Sequence, residues 1–244
     1  MDTGQLPKRI NRKIGRVLHD YQLLEDGDRV LVAVSGGMDS LVAAWVLKMW
    51  QAKAPIHYEL EAVFVDNGFL HPATGQLSPA EQIKRQMDAA GIPFTVVQAV
   101  SSTQYAMDSC YHCSKDRRRR LFELARDKGF GKLCLGHHKD DLVETFFINL
   151  FYGGNISTMI PRQELFSGRL HLIRILAYLT RTEVVEIGEL AGLRPVDNFC
   201  PLNGVTQRDT IRAILEKVYD RIPAARHSVF AALGNVREEY LLKR

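Results

Sequence analysis

Three short stretches of the chain combine residue types that act together chemically. The first is Val32-Ala33-Val34-Ser35-Gly36-Gly37-Met38-Asp39-Ser40. Its glycines let the backbone approach an anion closely and take positive φ where required. The Ser35 and Ser40 hydroxyls and successive backbone N–H groups can then donate to phosphate oxygens, at a helix start whose dipole favours negative charge. A Walker loop needs a longer glycine spacing and a lysine before its last Ser or Thr, and neither is present. A loop without that lysine must hold its phosphate in another way.

The second stretch is Cys110-Tyr111-His112-Cys113, a CxxC at the expected start of a helix. Free N–H groups and the helix dipole stabilise thiolates there. Two thiolates at this spacing either grip a metal or cluster or form a redox pair. The motif lies too late in the chain for a thioredoxin-like first βα turn. Zinc needs further ligands, and no second CxxC exists. Cys200 stands alone in Phe199-Cys200-Pro201, while Cys134 falls inside an apolar strand and reads as a core thiol.

The third stretch is Gly136-His137-His138-Lys139-Asp140-Asp141. Its two carboxylates either cap a helix or, at the carboxyl end of a strand, position magnesium. His137 and His138 either meet phosphate or pack at the strand end. Glu144 reads as a simple helix neighbour. Asp66, in Asp66-Asn67-Gly68, suits a turn as well as a cation.

The elements that must position these residues follow from pattern. Apolar Ile10, Ile14, Val17, Leu18 and Tyr21 among basic residues predict an amphipathic helix over 8–24. Strands are expected at Arg29–Val34, Leu60–Val65, Phe94–Val97, Leu133–Leu135 and His171–Ile175, with helices at 41–50, 79–90, 114–128, 139–151 and 181–191. That alternation predicts an α/β fold: a doubly wound, mostly parallel five-stranded sheet with helical N- and C-terminal extensions. In such sheets ligands bind beyond the carboxyl ends of the strands. The chain divides into an N-terminal helix (1–25), a nucleotide-binding domain containing the CxxC (26–192) and a C-terminal helical region carrying Cys200 (193–244). In the last of these, Ile211, Ile214, Leu215, Val218 and Tyr219 form an apolar helical stripe.

A chain of 244 residues with 46% hydrophobic and 25% charged residues suits one α/β core with a small appendage. No apolar run approaches the roughly 18 residues that span a bilayer, and the opening residues lack the apolar stretch of a secretory signal. A cytoplasmic protein without membrane contact is expected. Four cysteines in a reducing compartment argue for metal or catalytic use rather than disulfides. The formal charge of +4 is mild, so its placement matters more than its size. Arg117, Arg118, Arg119 and Arg120 directly follow the CxxC, basic residues recur at Lys8, Arg9, Arg12, Lys13 and Arg16, and Arg208 and Arg212 add to them.

SGGMDS resembles the SGGxDS loop of the PP-loop ATP pyrophosphatases, enzymes that split ATP into AMP and pyrophosphate. Met38 occupies the variable position, where many sulfur-transferring relatives have lysine. CYHCSKDRR (Cys110 to Arg118), LGHHKDDLVETFFINLFYGG and, more loosely, LIRILAYLTR (Leu172 to Arg181), with one cysteine downstream, narrow the likeness. Together they are similar to the TtcA family, the tRNA 2-thiocytidine synthetases, over about residues 10 to 240.

The resemblance implies that Ser35, Gly36, Gly37, Asp39 and Ser40 hold the pyrophosphate part of ATP, that Val65 and Gly136 belong to the nucleotide site, and that Asp39 and Asp141 bind magnesium. It implies that Cys110, Cys113 and Cys200 hold a [4Fe-4S] cluster with one iron open to sulfur. Arg117 would then reach the cluster or target base, and Arg118 to Arg120 would meet RNA phosphates. Tyr111 or Phe69 offers a surface on which that base can stack. The implied reaction is ATP-dependent conversion of cytidine 32 of tRNA to 2-thiocytidine, with a cysteine desulfurase or sulfide as sulfur donor and a homodimer as the usual assembly. Asn203 and Ile175 depart from the family, which often has cysteine and proline there. Alternatives are another tRNA base or a small molecule as substrate, a persulfide on Cys110 or Cys200 in place of the cluster, and a non-enzymatic iron or oxygen sensor.

Overall fold

The computed structural model describes residues 6–68, 77–99, 110–197 and 206–242. They group into two compact units. The first comprises Met1–His138 and Pro161–Asn203, the second Lys139–Ile160 and Gly204–Arg244. The linear division at residues 25 and 192 follows the chain; the compact units instead join the N-terminal helix to the sheet and the helix after His138 to the C-terminal helices.

The first unit is built on strands β1 (Asp28–Ala33), β2 (Tyr58–Asp66), β3 (Phe94–Gln98), β4 (Lys132–Cys134), β5 (Arg162–Leu165) and β6 (Leu170–Ile173). Val30, Leu31 and Val32 of β1 are all fully buried, so side chains on both faces of the strand are covered. A near-continuous apolar run is what a central parallel strand requires. The sheet order is β3-β2-β1-β4-β6-β5, parallel except for the β5–β6 pair. The chain lays β2 and β3 on one side of β1 and only then places β4 on the other. The reversal creates a topological switch point between the carboxyl ends of β1 and β4, where open α/β sheets bind ligands.

Helices α1 (Lys8–Asp20), α2 (Met38–Gln51), α3 (Pro79–Ala89), α4 (Cys110–Lys128) and α6 (Arg181–Leu190) belong to this unit. α2 buries Leu41, Val42, Ala43, Ala44, Val46 and Leu47, apolar on several sides as an interior helix must be. Leu121 and Ala125 of α4 pack with Leu31, Val63, Leu133 and Leu172 of the sheet. α6 starts with a capping box between Thr180 and Glu183, and Lys13 of α1 donates to the same Glu183 carboxylate at 2.9 Å. Burial pushes the Glu183 pKa up, but the Lys13 and Thr180 donors outweigh it and hold it below the usual carboxylate value.

The sheet has six strands rather than five. β5 is not among the expected strands; its sequence, Arg-Gln-Glu-Leu, has no β-branched residue. As an antiparallel edge strand it needs only the backbone ladder, from Arg162 opposite Ile173 to Leu165 opposite Leu170. At the tip of this hairpin Phe166 and Ser167 both take left-handed backbone, φ 54° and 56°. That conformation costs about 1–2 kcal/mol per residue with a side chain.

In the second unit α5 (Lys139–Gly153), α7 (Gln207–Arg221) and α8 (Ala225–Ala232) share a core of Val143, Ile211, Leu215 and Tyr219, against which Phe147, Val229 and Phe230 pack. The expected stripe on α7 is narrower than its pattern: Ile214 and Val218 are exposed. Among the described residues, no helix is long and apolar enough to cross a membrane.

Candidate functional site

The Ser35–Ser40 loop leaves β1 where its ladder with β2 ends, closed by a bond from the Val34 N–H to the Val63 carbonyl (2.8 Å). Gly36 has φ +89°, and a Cβ there would lie 3.2 Å from the Val196 Cβ, while the Val196 N–H donates to the Gly36 carbonyl at 2.9 Å. Gly37 is the N-cap of α2 and supplies no side chain to its first turn. Buried Ser40 ties the loop together: its hydroxyl donates to the Gly37 carbonyl at 2.8 Å and accepts from the Ser35 N–H at 3.1 Å. With that proton committed, the 3.3 Å contact between the two hydroxyls is one in which Ser35 donates. Ser40 therefore shapes the cradle, and Ser35 is the hydroxyl that can turn to an incoming phosphate. Met38, at the variable position, points away to α6. A Cβ on Gly188 would overlap its sulfur.

Gly136 closes the site from β4. A Cβ added there would stand 2.8 Å from the Asp39 carbonyl carbon and oxygen and from the Ser40 Cα. All three are backbone atoms, so only glycine lets β4 end against the loop. Two residues on, wholly buried His138 brings Nε2 to 3.8 Å from Asp39 Oδ2, and the Asp39 side chain is 44% exposed. The sequence placed Asp39 and Gly136 in one site, and the structure brings them together.

His137 accepts at Nδ1 from the Arg174 Nε–H (3.3 Å). A guanidinium only donates, so a neutral His137 in this bond carries its proton on Nε2. Arg174 is 4% exposed. Burial lowers its pKa; Cys134 opposes the change, and the Arg118 charge adds to it. Arg174 carried no expectation of its own. Its signal was one arginine inside the apolar run Leu172-Ile173-Arg174-Ile175-Leu176. Val65 is buried in the core, so only its backbone, past the end of the β1–β2 ladder, is available to a nucleotide.

Cys113 lies on the first turn of α4, three residues after Cys110, the spacing that sets two positions side by side on a helix. Cys200, Asn203 and Phe69 lie outside the described residues. Cys134 is fully buried, and burial pushes its thiol up to about 12, as expected of a core cysteine. On α4, Arg117, Arg118 and Arg119 are exposed and Arg120 is half-buried. Arg119 and Arg120 share Glu123, at 2.8 and 3.2 Å.

In the second unit Asp141 accepts from Arg208 at 3.1 Å. Buried Glu144 accepts from Arg208 at 3.4 Å and from Arg212 at 2.9 Å, and Asp140 accepts from Arg226 at 3.2 Å. Arg208 and Arg212, read from the sequence only as two further basic positions, are the countercharges of these carboxylates. Glu144 is the centre of that network rather than a neighbour on a solvated face.

Residues 6–218 match the family model of the PP-loop domain. A tRNA-cytidine(32) 2-sulfurtransferase of Methylococcus capsulatus is 34% identical to this chain, covering 98% of it and 83% of the relative. One from Neisseria meningitidis serogroup C is 32% identical, covering 99% and 76%. Among solved structures, the U34-tRNA thiolase NcsA from Methanococcus maripaludis, with its [4Fe-4S] cluster, has a TM-score of 0.76 over 96% of this chain and 79% of that one. At 21% identity that likeness speaks for the fold. The chain belongs to the PP-loop domain family, together with the tRNA-cytidine(32) 2-sulfurtransferases.

Proposed function

We propose that this enzyme uses ATP to thiolate tRNA, converting a cytidine to 2-thiocytidine and releasing AMP and pyrophosphate. The observation that carries the reading is the lysine-free Ser35–Ser40 loop at the switch point, packed against Gly136. In this reading the N–H groups opening α2 and the Ser35 hydroxyl hold the β- and γ-phosphates as one leaving group. The C2 oxygen of the base attacks the α-phosphorus, and breaking the bond to the β-phosphate releases pyrophosphate. The base is then joined to AMP, and sulfur replaces the AMP oxygen at C2. Asp39, at the first turn of α2, is the magnesium ligand proposed in the first unit. The Nε2–H that Arg174 fixes on His137 is a neutral donor for a phosphate oxygen.

We assign a [4Fe-4S] cluster to Cys110, Cys113 and Cys200. The neighbouring placement of Cys110 and Cys113 at a helix start suits thiolate ligation, and Cys200 lies outside the described residues. Three thiolates would leave one iron without a protein ligand, and the chemistry a cluster so held would supply is delivery of sulfur to the activated base. Arg117, one turn after Cys113, is the proposed contact to the incoming base. A polyanionic substrate fits the charge distribution. α4 carries seven Lys or Arg against three Asp or Glu, an excess equal to the whole chain's formal +4. α1, with five Lys or Arg against one Asp, carries an equal excess, but its Arg9 and Lys13 are paired with Glu186 and Glu183, whereas the α4 excess lies on the helix that carries the CxxC.

The experiment is mass spectrometry of nucleosides from unmodified tRNA incubated with ATP, magnesium, sulfide and anaerobically purified enzyme. 2-Thiocytidine is expected; a thiolated uridine, or no thionucleoside, would overturn the assignment.

A further inference from the structure

We propose that the outer face of α4 and the tip of the β5–β6 hairpin form one RNA-docking surface, on which Phe166 stacks an unpaired base away from the reacting nucleotide. The inference rests on the tRNA reading above and adds a contact surface to it.

Lys115, Arg118, Arg119 and Phe122 follow one another at intervals of three, one and three residues and so share one side of α4. The ring of Phe166 meets that side, its centroid 5.5 Å from that of Phe122 at an interplanar angle of 83°. Yet Phe166 remains 51% exposed, at φ 54°. Turns with left-handed backbone select Gly, Asn or Asp. A bulky residue held there against its backbone preference, with half its surface in water, points to use of the ring outside the fold. The neighbouring Arg169 donates through Nε to the Phe166 carbonyl at 3.0 Å, which fixes the turn and holds a cation at the hairpin tip.

An exposed aromatic flanked by arginines on a helix with seven Lys or Arg against three Asp or Glu is the composition of a single-stranded nucleic-acid surface: stacking on the ring, phosphates on the cations. Glu123, the acidic neighbour, is bonded to Arg119 in an exposed pair. Such pairs contribute little, so exchanging that carboxylate for a phosphate is cheap. Phe122 lies nine residues beyond Cys113, about 13 Å along the helix axis. Phe166 therefore serves a nucleotide other than the one being modified.

The test uses the full chain and an unmodified tRNA transcript, with Kd measured by fluorescence anisotropy across a salt series. Phe166→Asn removes the ring while suiting the turn. It is expected to weaken binding at least fivefold with an unchanged salt slope and an unchanged Tm. Arg118→Gln is expected to weaken binding and to reduce the slope by about one. p-Benzoylphenylalanine installed at position 166 is expected to cross-link to the tRNA on irradiation. A wild-type Kd for Phe166→Asn, or no cross-link, would overturn the surface while thiolation by the wild type leaves the enzymatic reading intact. So would a changed sedimentation coefficient with unchanged Kd, which would assign the ring to a contact between copies of the chain. Failure of the wild type to bind tRNA would overturn both readings.

Discussion

At the scale of single residues, the functional side chains were readable where their chemistry is local. Gly36, Gly37 and the two serines announce an anion loop because the glycine freedom and hydroxyl donors they supply act within six residues. The need for Gly136 was hidden, since the backbone it would strike belongs to Asp39 and Ser40, almost a hundred residues earlier. Gly136→Ala is expected to force β4 away from the loop. It should cost about 1–3 kcal/mol of stability and at least tenfold in kcat/KM for ATP, checked by thermal melts and pyrophosphate release. Cys134 yields a second expectation. Its buried thiol, raised from 9.0 to about 12, holds its proton more tightly in the folded than in the unfolded chain. Its contribution to stability is therefore complete below about pH 9 and lost as pH rises toward 12. Tyr58, raised by burial as well, acts in the same direction. Melting temperature should fall across that window, and Cys134 should resist alkylation at pH 8 while the chain is folded.

At the scale of elements, hydrophobic pattern located the parallel strands and most helices because burial of these segments is encoded in their own residues. It failed for β5, which is held by its hydrogen-bond ladder to β6 and not by apolar content. It also left α7 incomplete, where Arg208 and Arg212 read only as two further basic positions. Their partners Asp141 and Glu144 are on α5, more than sixty residues away in sequence, and only the helix pairing reveals the match. Arg212→Met leaves Glu144 buried with Arg208 as its remaining cation among these bonds. A loss of about 1–3 kcal/mol is expected, read as a lower Tm, and Arg212→Lys should recover part of it. If Arg212→Met melts like the wild type, the network is incidental to the second unit. Arg117, Arg118 and Arg119 of α4 behave differently: they are exposed, so Arg118→Glu should leave Tm within a degree or two while weakening tRNA binding more at low salt than at high salt. Equal weakening at all salt concentrations would remove phosphate contact as their role.

At the scale of the whole molecule, the order of the strands makes a site of the separate motifs. β1 and β4 become neighbours only because the chain reverses direction across the sheet, and that reversal brings SGGMDS against Gly136 and His138. The fold class followed from alternating strands and helices. The family followed from motifs in the expected order over nearly the full chain and stands on the relatives' identity. Cys200 is readable from the sequence as a lone cysteine in Phe199-Cys200-Pro201, and solution experiments test its part in the proposed chemistry. The most direct of these measures pyrophosphate and 2-thiocytidine together, in one anaerobic reaction of enzyme, ATP, magnesium, sulfide and unmodified tRNA. Equal amounts of the two products, with AMP as the only other nucleotide formed, are the expected result. Thionucleoside formed without pyrophosphate, or ATP cleaved to ADP and phosphate, would contradict the central role given to the lysine-free loop.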